Sequence, residues 1–536
     1  MSTIKHANIF PRLKNKRKFR LIESEDLLAP LSISDKQFLR IKPEALELIA
    51  ETAFHDLHHF LSPIFIEELL NILKDSEASN NDKFVVSSLL ENAIIASECE
   101  LPLCQDTGVA NVFAEKGEEV LTFANDRLHI SKGILNAYRH NNFRYSMLRP
   151  EDIFSETNTD TNLPAQIEIE ASEGNEYNFF FIAKGGGSSN KTFLFNSNKS
   201  ILEEKKLEFF FREKLLQIGV SACPPYQIGI ALGGTSPEMA LKTAKLASEG
   251  FYDELPEAPS INSTSFRVPR WEQKILHITK EFGLGAQFGG KYFAHSVRFI
   301  RLPRHAATCH IAIAVSCNAH RNIAGKITQE GIFIEKLEKN PEKYLDEIIS
   351  LNNNNTPKIN ISEPIEKICQ KLSTYPVGTR ISLSGPMIVA RDIAHAKFAE
   401  MLSKEGKLPD YLKNHIIFYA GPAKTPKNYV SGSLGPTTAE RMDSYLEILM
   451  KNGASLITIA KGNRSNFVPD LCQKFKGFYL GTIGGTAALL AKKFIKQSEI
   501  IDFESLGMEA VRKIVVKDFP AFIVCNDKGQ SLYGNS

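Results

Sequence analysis

Several polar and glycine-rich segments of this chain hold more reactive groups than folding requires. They are PLCQDTG (102–108), AKGGGSSNK (183–191), ACPP (222–225), GGTSPE (233–238), the long run 283–322, SGPMIVARDIAH (384–395), SGSLGPTTAERMD (431–443) and AKGNRS (460–465). Glycine elbows let backbone approach a small ligand. The Asp, Arg, Lys, His and Thr side chains beside them can hold charge and move protons. Arginine in particular presents a fork that matches a carboxylate. These types point to acid–base chemistry on a small anionic substrate. No single segment is diagnostic. KGGGSSNK (184–191) lacks the GxxxxGK(S/T) spacing of a phosphate loop. The eight cysteines are Cys99, Cys104, Cys223, Cys309, Cys317, Cys369, Cys472 and Cys525, with no CxxC pair. Their spacing announces neither a metal site nor a disulfide framework, and it suits a reducing compartment.

Elements of both periods surround these segments. Residues 37–75 predict helical structure through Phe38, Ile41, Leu46, Ile49, Ala50, Phe54 and Leu57, and 83–98 predict an amphipathic helix. Alternation over 165–183, around Ser172-Glu173-Gly174-Asn175, predicts a hairpin that feeds the glycine-rich segment. YQIGIAL, Gly233-Gly234 and TSPEMALKTAKLAS predict a strand, a turn and a helix. Thr235 and Glu238 stand at capping-box spacing there, with Pro237 in the first turn. Such a helix start offers N–H groups to an anion. The tract Asn352–Asn355, followed by Thr356-Pro357, predicts a linker. After it TRISLSG, HIIFYAGP, SLITIAKG and FYLGTIGG predict strands, and RDIAHAKFAEML and TAALLAKKFIKQ predict helices. This is α/β patterning. The expected organisation is a basic extension over 1–20, a first domain over 21–340, a linker over 341–365 and a second α/β domain over 366–536.

Composition removes several classes. A hydrophobic share of 43% and a charged share of 24% exclude a disordered, collagen-like or small disulfide-stapled chain. Lys plus Arg is 64 against 62 for Asp plus Glu, so a net charge of +2 gives no general pull toward nucleic acid or an anionic membrane. No stretch approaches the ~18 continuous apolar residues of a membrane span. The start lacks the apolar region of a secretory signal. It is basic at Lys14, Lys16, Arg17, Lys18 and Arg20, but it contains Pro11 and lacks the Ser-rich pattern of a transit peptide. A cytoplasmic location is expected, with organellar targeting by the basic start as the alternative.

In this order the segments resemble the class I fumarate hydratases, the iron–sulfur fumarases. The likeness runs from about residue 45 to about residue 533. Its long blocks are TNTDTNLPAQI, AKGGGSSNKT, GLGAQFGGKYFAH, RLPRH, GPTTAERMDSY and IGGTAALLA…LGMEAV…VKDFPAFIVCNDKG. The resemblance implies a two-lobed α/β fold, with a cluster-bearing N-terminal domain and a smaller C-terminal α/β domain that completes the site. It implies a [4Fe–4S] cluster held by Cys104, Cys223 and Cys317, with one iron open to substrate as a Lewis acid. Cys309 is a rival third ligand by spacing alone, set aside because it lies in a strand-like apolar run. Cys99, Cys369, Cys472 and Cys525 are expected to be structural.

The implied reaction is the reversible hydration of fumarate to L-malate. The family's carboxylate-holding positions fall on Gln105, Arg144, Gly187 (as a backbone donor), Arg391, Arg441 and Lys461. Its base at C3 falls on Thr437. A threonine hydroxyl is a poor base unless nearby charge stabilises its alkoxide, and Arg441 lies four residues on, where a helix would turn it toward Thr437. Asp106 and His305 are the candidates for moving the proton of the hydroxyl that is lost, without a choice between them. Glu440 stands where the family commonly has glycine and is expected to point to solvent. The family implies a homodimer acting on a small dicarboxylate, with no nucleic acid and no membrane. An L-tartrate dehydratase or a mesaconate hydratase of the same superfamily is the alternative; tartrate dehydratases of this kind usually split the lobes between subunits. A cluster-bearing nucleic-acid binder would need a basic surface, and an electron carrier would more often close its cluster with four cysteines.

Overall fold

The computed structural model describes residues 9–11, 16–23, 26–260, 263–349 and 356–534. The tract Asn352–Asn355 and the basic Lys14 lie outside the described residues. Two sheets and the helices on them form the N-terminal unit. The first sheet has six strands, in the order Phe19–Glu23, Gly331–Glu335, Asn322–Thr328, Tyr177–Lys184, Val109–Gly117 and Gln166–Ser172. Helices Pro43–His59 and Asp126–His140 cover one face of it, burying Leu46, Ile49, Phe54 and Ile134 against Val112, Phe181, Ile323 and Ile332. The second sheet has five strands, in the order Phe193–Ser197, Cys309–Ser316, Tyr226–Gly234, Ala294–Arg304 and Phe266–Arg267.

Helix Pro237–Ala247 lies between the two sheets. Its Ala240, Ala244 and Ala247 are small enough to meet Phe180 and Ile182 on one side and Ala231, Ile300 and Ala312 on the other. Its approach to the second sheet depends on Gly229, where a Cβ would stand 2.1 Å from the Ala244 carbonyl oxygen. Helices Glu204–Leu216 and Pro269–Lys280 cover the outer face of that sheet through Leu207, Phe211 and Ile275.

The C-terminal unit is built on a seven-stranded sheet. Arg380–Val389, Ile417–Phe418, Ile457–Ala460 and Phe478–Gly481 run parallel, and Val511–Cys525 returns antiparallel beside the last of them. Val511–Cys525 also pairs with Arg380–Val389, so these strands close into a ring around Leu383, Met387, Phe418, Ile459, Leu480 and Phe519. A further core joins the two units. It holds Leu89, Leu90 and Phe288 of the first with Tyr419, Met442 and Phe522 of the second. Phe288 stacks on Phe522 with centroids 3.9 Å apart.

The structure revises several local expectations. Phe38 and Ile41 belong to the strand Lys36–Ile41, and the helix begins only at Pro43. Gln166–Ser172 and Tyr177–Lys184 do not pair as a hairpin; Val109–Gly117 lies between them, parallel to the first and antiparallel to the second. The 173–176 turn straddles the end of that strand, with the Gly117 N–H donating to Glu176 O and that of Glu119 to Gly174 O. The cap of helix Pro237–Ala247 is Ser236, one residue after Thr235, and its side chain accepts from the Met239 N–H. TAALLAKKF makes only a short helical segment. Ile495–Asp502 then joins the sheet edge, because pairing with Val511–Cys525 overrides the helical pattern. Lys358–Asn360, inside the stretch expected to be a linker, is already a strand of the C-terminal sheet. Phe19 and Arg20, inside the basic start, pair with Gly331–Glu335, and Arg17 binds Glu335.

The shared core predicts coupled stability. Phe288→Ala removes a ring that touches both units and lowers stability by about 3–5 kcal/mol. Chemical denaturation of the full chain should show the midpoint falling for both units together. An early transition confined to one unit would contradict the shared core.

Candidate active site

Cys104, Cys223 and Cys317 come from three different turns. Cys104 follows helix Asn80–Ala96 on a segment held by the Leu103 N–H donating to His58 O at 2.9 Å and by Asn92 Nδ2 donating to Leu103 O at 2.9 Å. Cys223 precedes the strand Tyr226–Gly234 in a left-handed conformation, with φ of 66°. The Tyr226 hydroxyl braces that turn, accepting from the Ala222 N–H and donating to Gly219 O. Cys317 directly follows the strand Cys309–Ser316. Asn318 ties the last two turns together: its N–H donates to Cys223 O at 3.1 Å, and its Nδ2 donates to Pro224 O and Gly484 O. Gln287 adds a second clamp between Pro224 and Gly484.

The three thiols sit within one another's electrostatic field. Burial pushes the Cys104 thiol up, with Arg321 and Lys461 opposing. Burial likewise pushes Cys223 up to about 11, against the pull of Lys461. Lys461 Nζ stands 2.9 Å from Cys223 Sγ. Burial pulls this ammonium down, but Cys223, Cys104 and Cys317 outweigh it and hold the value above the ordinary lysine range. A Cβ at Gly484 would lie 2.3 Å from Cys223 Sγ, so only glycine leaves that sulfur room. Three convergent soft donors, two flanking cations and a glycine cradle fit a cluster held by three thiolates. Cys309 lies at the far end of the eight-residue strand Cys309–Ser316. At ~3.3 Å per residue it is roughly 26 Å from Cys317, so the strand carries it away from the other thiols.

Beside the thiols opens a cavity of about 540 Å³, within the usual range for a small-molecule site. The N-terminal unit contributes Gln105, Asp106, Arg144, Gly186, Gly187 and Ser221 to its wall, and the C-terminal unit contributes Arg391, Thr437, Glu440, Arg441 and Lys461. The Asp106 carboxylate accepts from the N–H groups of Gly108 at 3.1 Å and Gly186 at 2.9 Å, and Arg144 stands 3.5 Å away. Burial pushes this carboxyl up, but Arg144, Arg321 and the Gly186 N–H outweigh it and hold it below the ordinary carboxylate range. Its ionised form therefore adds stability above the unfolded carboxyl value, lost as pH falls through the lower folded value.

Gln105 Nε2 donates to Pro436 O at 3.2 Å, and Arg144 Nη1 is buried with no hydrogen-bond partner among the described residues. Arg391 pairs with Glu509, yet its Nε is also unpartnered. Burial, with Arg144 and Arg441 nearby, pulls Arg391 down to about 10. A guanidinium stays charged at neutral pH, so the shift marks a cation short of counter-charge.

Thr437 follows the short strand Leu434–Pro436, and a single 3-10 turn, Ala439–Met442, carries Arg441 back over it. Arg441 Nη1 donates to Thr437 Oγ1 at 3.0 Å, and Arg441 Nη2 contacts Asp392 Oδ2 at 2.7 Å. Glu440 is exposed, as expected, but it also lines the cavity and lies near Lys191. His305 is on an exposed turn between two strands, where its Nδ1 accepts from the Ala307 N–H, and it is not part of the cavity wall of this chain. Every other expected site residue converges there or on the thiols. Sequence reasoning passed over Lys191, Ser221, Arg321 and Glu509. Arg321 is buried and donates to Asp106 O at 2.6 Å. The only signal for Lys191, Arg321 and Glu509 was membership of the same blocks, such as AVSCNAHRN and LGMEAV, and Ser221 only adjoins ACPP.

Residues 47–326 match the family model described as fumarate hydratase (Fumerase), and residues 331–536 match the one described as fumarase C-terminus. Over 514 residues the chain is 51% identical to fumarate hydratase 2 of Leishmania major, covering 96% of this chain and 90% of that protein. Over 525 residues it is 49% identical to the anaerobic class I fumarate hydratase of Escherichia coli strain K12, covering 98% of this chain and 96% of that protein. A putative L(+)-tartrate dehydratase subunit beta of Methanocaldococcus jannaschii is 36% identical over 161 residues, 29% of this chain and 83% of that protein.

The cradle gives a direct expectation. Gly484→Ala should sharply reduce the iron and sulfide retained after anaerobic reconstitution while far-ultraviolet circular dichroism stays unchanged. Cys309→Ser should retain both in full. Loss of iron from Cys309→Ser alone would reassign the third ligand.

Proposed function

The chain belongs to the class I fumarate hydratases, a family of hydro-lyases, and from that premise we propose that it adds water reversibly to fumarate, giving L-malate. The observation that carries this is the concentration of Arg144, Arg391, Arg441 and Lys461 around Thr437 in a cavity that adjoins three convergent cysteines. A dianion with two carboxylates meets the charge shortage of Arg144 and Arg391. Cys104, Cys223 and Cys317 would hold a [4Fe–4S] cluster, which when bound supplies a Lewis acid at an iron without a protein ligand.

The residues of the chain supply the rest of the chemistry. Arg144, Arg391, Arg441 and Lys461, with Gln105 and the Gly187 backbone, hold the carboxylates and fix the C2–C3 bond. In the dehydration direction Thr437 takes the proton from C3, the electron pair forms the double bond, and the C2 hydroxyl leaves as water after gaining a proton. Hydration reverses each transfer. The Arg441 guanidinium donates to Thr437 Oγ1 and so favours its alkoxide. Asp106 is the acid–base group inside the cavity. Held ionised by three donors, it accepts a proton from the incoming water and returns it in the reverse direction. His305 enters this scheme only if a second copy of the chain presents its exposed turn to the cavity, as the homodimer expected of the family would allow.

The match to a tartrate dehydratase subunit keeps L-tartrate as the second substrate to test, although it covers only 29% of this chain. Among the described residues no helix is long and apolar enough to cross a membrane. The free cysteines suit a reducing compartment such as the cytoplasm.

The test is fumarate absorbance after adding L-malate to anaerobically reconstituted protein, with L-tartrate and mesaconate alongside. Malate should give fumarate. Thr437→Ala should lower kcat by about 10²–10⁴-fold while keeping the cluster colour. Arg391→Gln should raise KM more than it lowers kcat. A loaded cluster with no turnover of malate or fumarate rejects the assignment.

A further inference from the structure

A second group of ligand atoms lies outside the cavity. His55 and His59 are one turn apart at the end of helix Pro43–His59, and Cys99 faces them from the turn after helix Asn80–Ala96. One nitrogen from each imidazole and the Cys99 sulfur lie within 4.8 Å of one another. The hydrogen bonds around them point to one ring nitrogen on each imidazole. His55 Nδ1 is 3.0 Å from Asp56 Oδ1, so donation there leaves Nε2 for an ion, which would replace the hydrogen bond that His55 shares with Cys99. The other oxygen of Asp56 is held by Arg20 at 2.5 Å. His59 Nδ1 is 2.9 Å from the His55 carbonyl oxygen, which again leaves Nε2. That His59 Nε2 is buried and has no hydrogen-bond partner among the described residues.

A buried polar atom of this kind calls for an explanation. In metal sites a ligating histidine usually donates its other N–H to a carboxylate or a backbone carbonyl, which fixes the tautomer. His55 has the first partner and His59 has the second. Two imidazoles and a thiolate suit Zn²⁺, whereas Ca²⁺ and Mg²⁺ require oxygen ligands. The His55 side chain is 33% exposed, which leaves a path for an ion and for a water.

We propose that His55, His59 and Cys99 bind one zinc ion, with water in the fourth position. The ion would pin the end of helix Pro43–His59 to the segment that runs from Cys99 to Cys104. A hydrogen bond from the Leu103 N–H to His58 O already joins them. Zinc here would stiffen the approach to Cys104, Gln105 and Asp106 without touching the cavity.

Cobalt reports the site. Holoenzyme with its cluster intact is titrated anaerobically with Co²⁺, and each spectrum is read as a difference from the same protein before cobalt is added, which cancels the cluster's absorption. A single equivalent should bind with a thiolate-to-cobalt charge-transfer band, and Zn²⁺ should displace it. Cys99→Ser should lose the band. His55→Gln, at a partly exposed position, should keep the fold and weaken binding at least about tenfold. No cobalt uptake by the wild type, the same band in Cys99→Ser, or unchanged affinity in His55→Gln would overturn the proposal.

Discussion

The contact between Lys461 and Cys223 joins the two units at the centre of the site. A lysine of the C-terminal unit places its ammonium 2.9 Å from a sulfur of the N-terminal unit. Removing such a cation from water costs several kcal/mol unless charge compensates it. The compensating charge would come from the cysteines of the other unit as thiolate ligands, so the two halves complete each other at this contact. The backbone follows the same constraint: the Lys461 N–H donates to Thr437 O, and the Ala439 N–H donates to Lys461 O. The group that faces the thiols and the group proposed as base therefore move as one piece.

The cavity is also short of negative charge. Asp106 is already ionised and held by its own donors, Glu509 holds only part of Arg391, and Asp392 faces Arg441. Unpartnered nitrogens on Arg144 and Arg391 remain. Donors fixed in place before the ligand arrives need no reorganisation when charge develops, which is how such sites lower barriers. The surrounding fold supplies that rigidity through the core shared between the units and the Asn318 and Gln287 clamps.

Much of the site was legible because chemistry clusters in short blocks. Thr437 and Arg441 lie four residues apart, and the structure brings them to 3.0 Å, though through a 3-10 turn after a strand and not along one helix. Long-range pairing was not legible. The strand Val109–Gly117 enters between Gln166–Ser172 and Tyr177–Lys184, and nothing local to those two strands marks the insertion. Arg321 was missed for the same reason. Its role depends on reaching Asp106, more than two hundred residues away in sequence. The helix expected over TAALLAKKFIKQ stops at Phe494, where sheet pairing takes over from Ile495, a tertiary contact that propensity does not carry. His305 shows the opposite limit: its block is distinctive, yet one chain leaves it on an exposed turn.

That the two units form one dicarboxylate site is tested most directly by the crystal structure of the anaerobically reconstituted protein soaked with L-malate. Electron density for the dicarboxylate should span the cavity, touching Arg144 of the N-terminal unit and Arg391 or Arg441 of the C-terminal unit, with Thr437 facing C3. A ligand held by one unit alone, or a cavity without ligand at saturating malate, would contradict it.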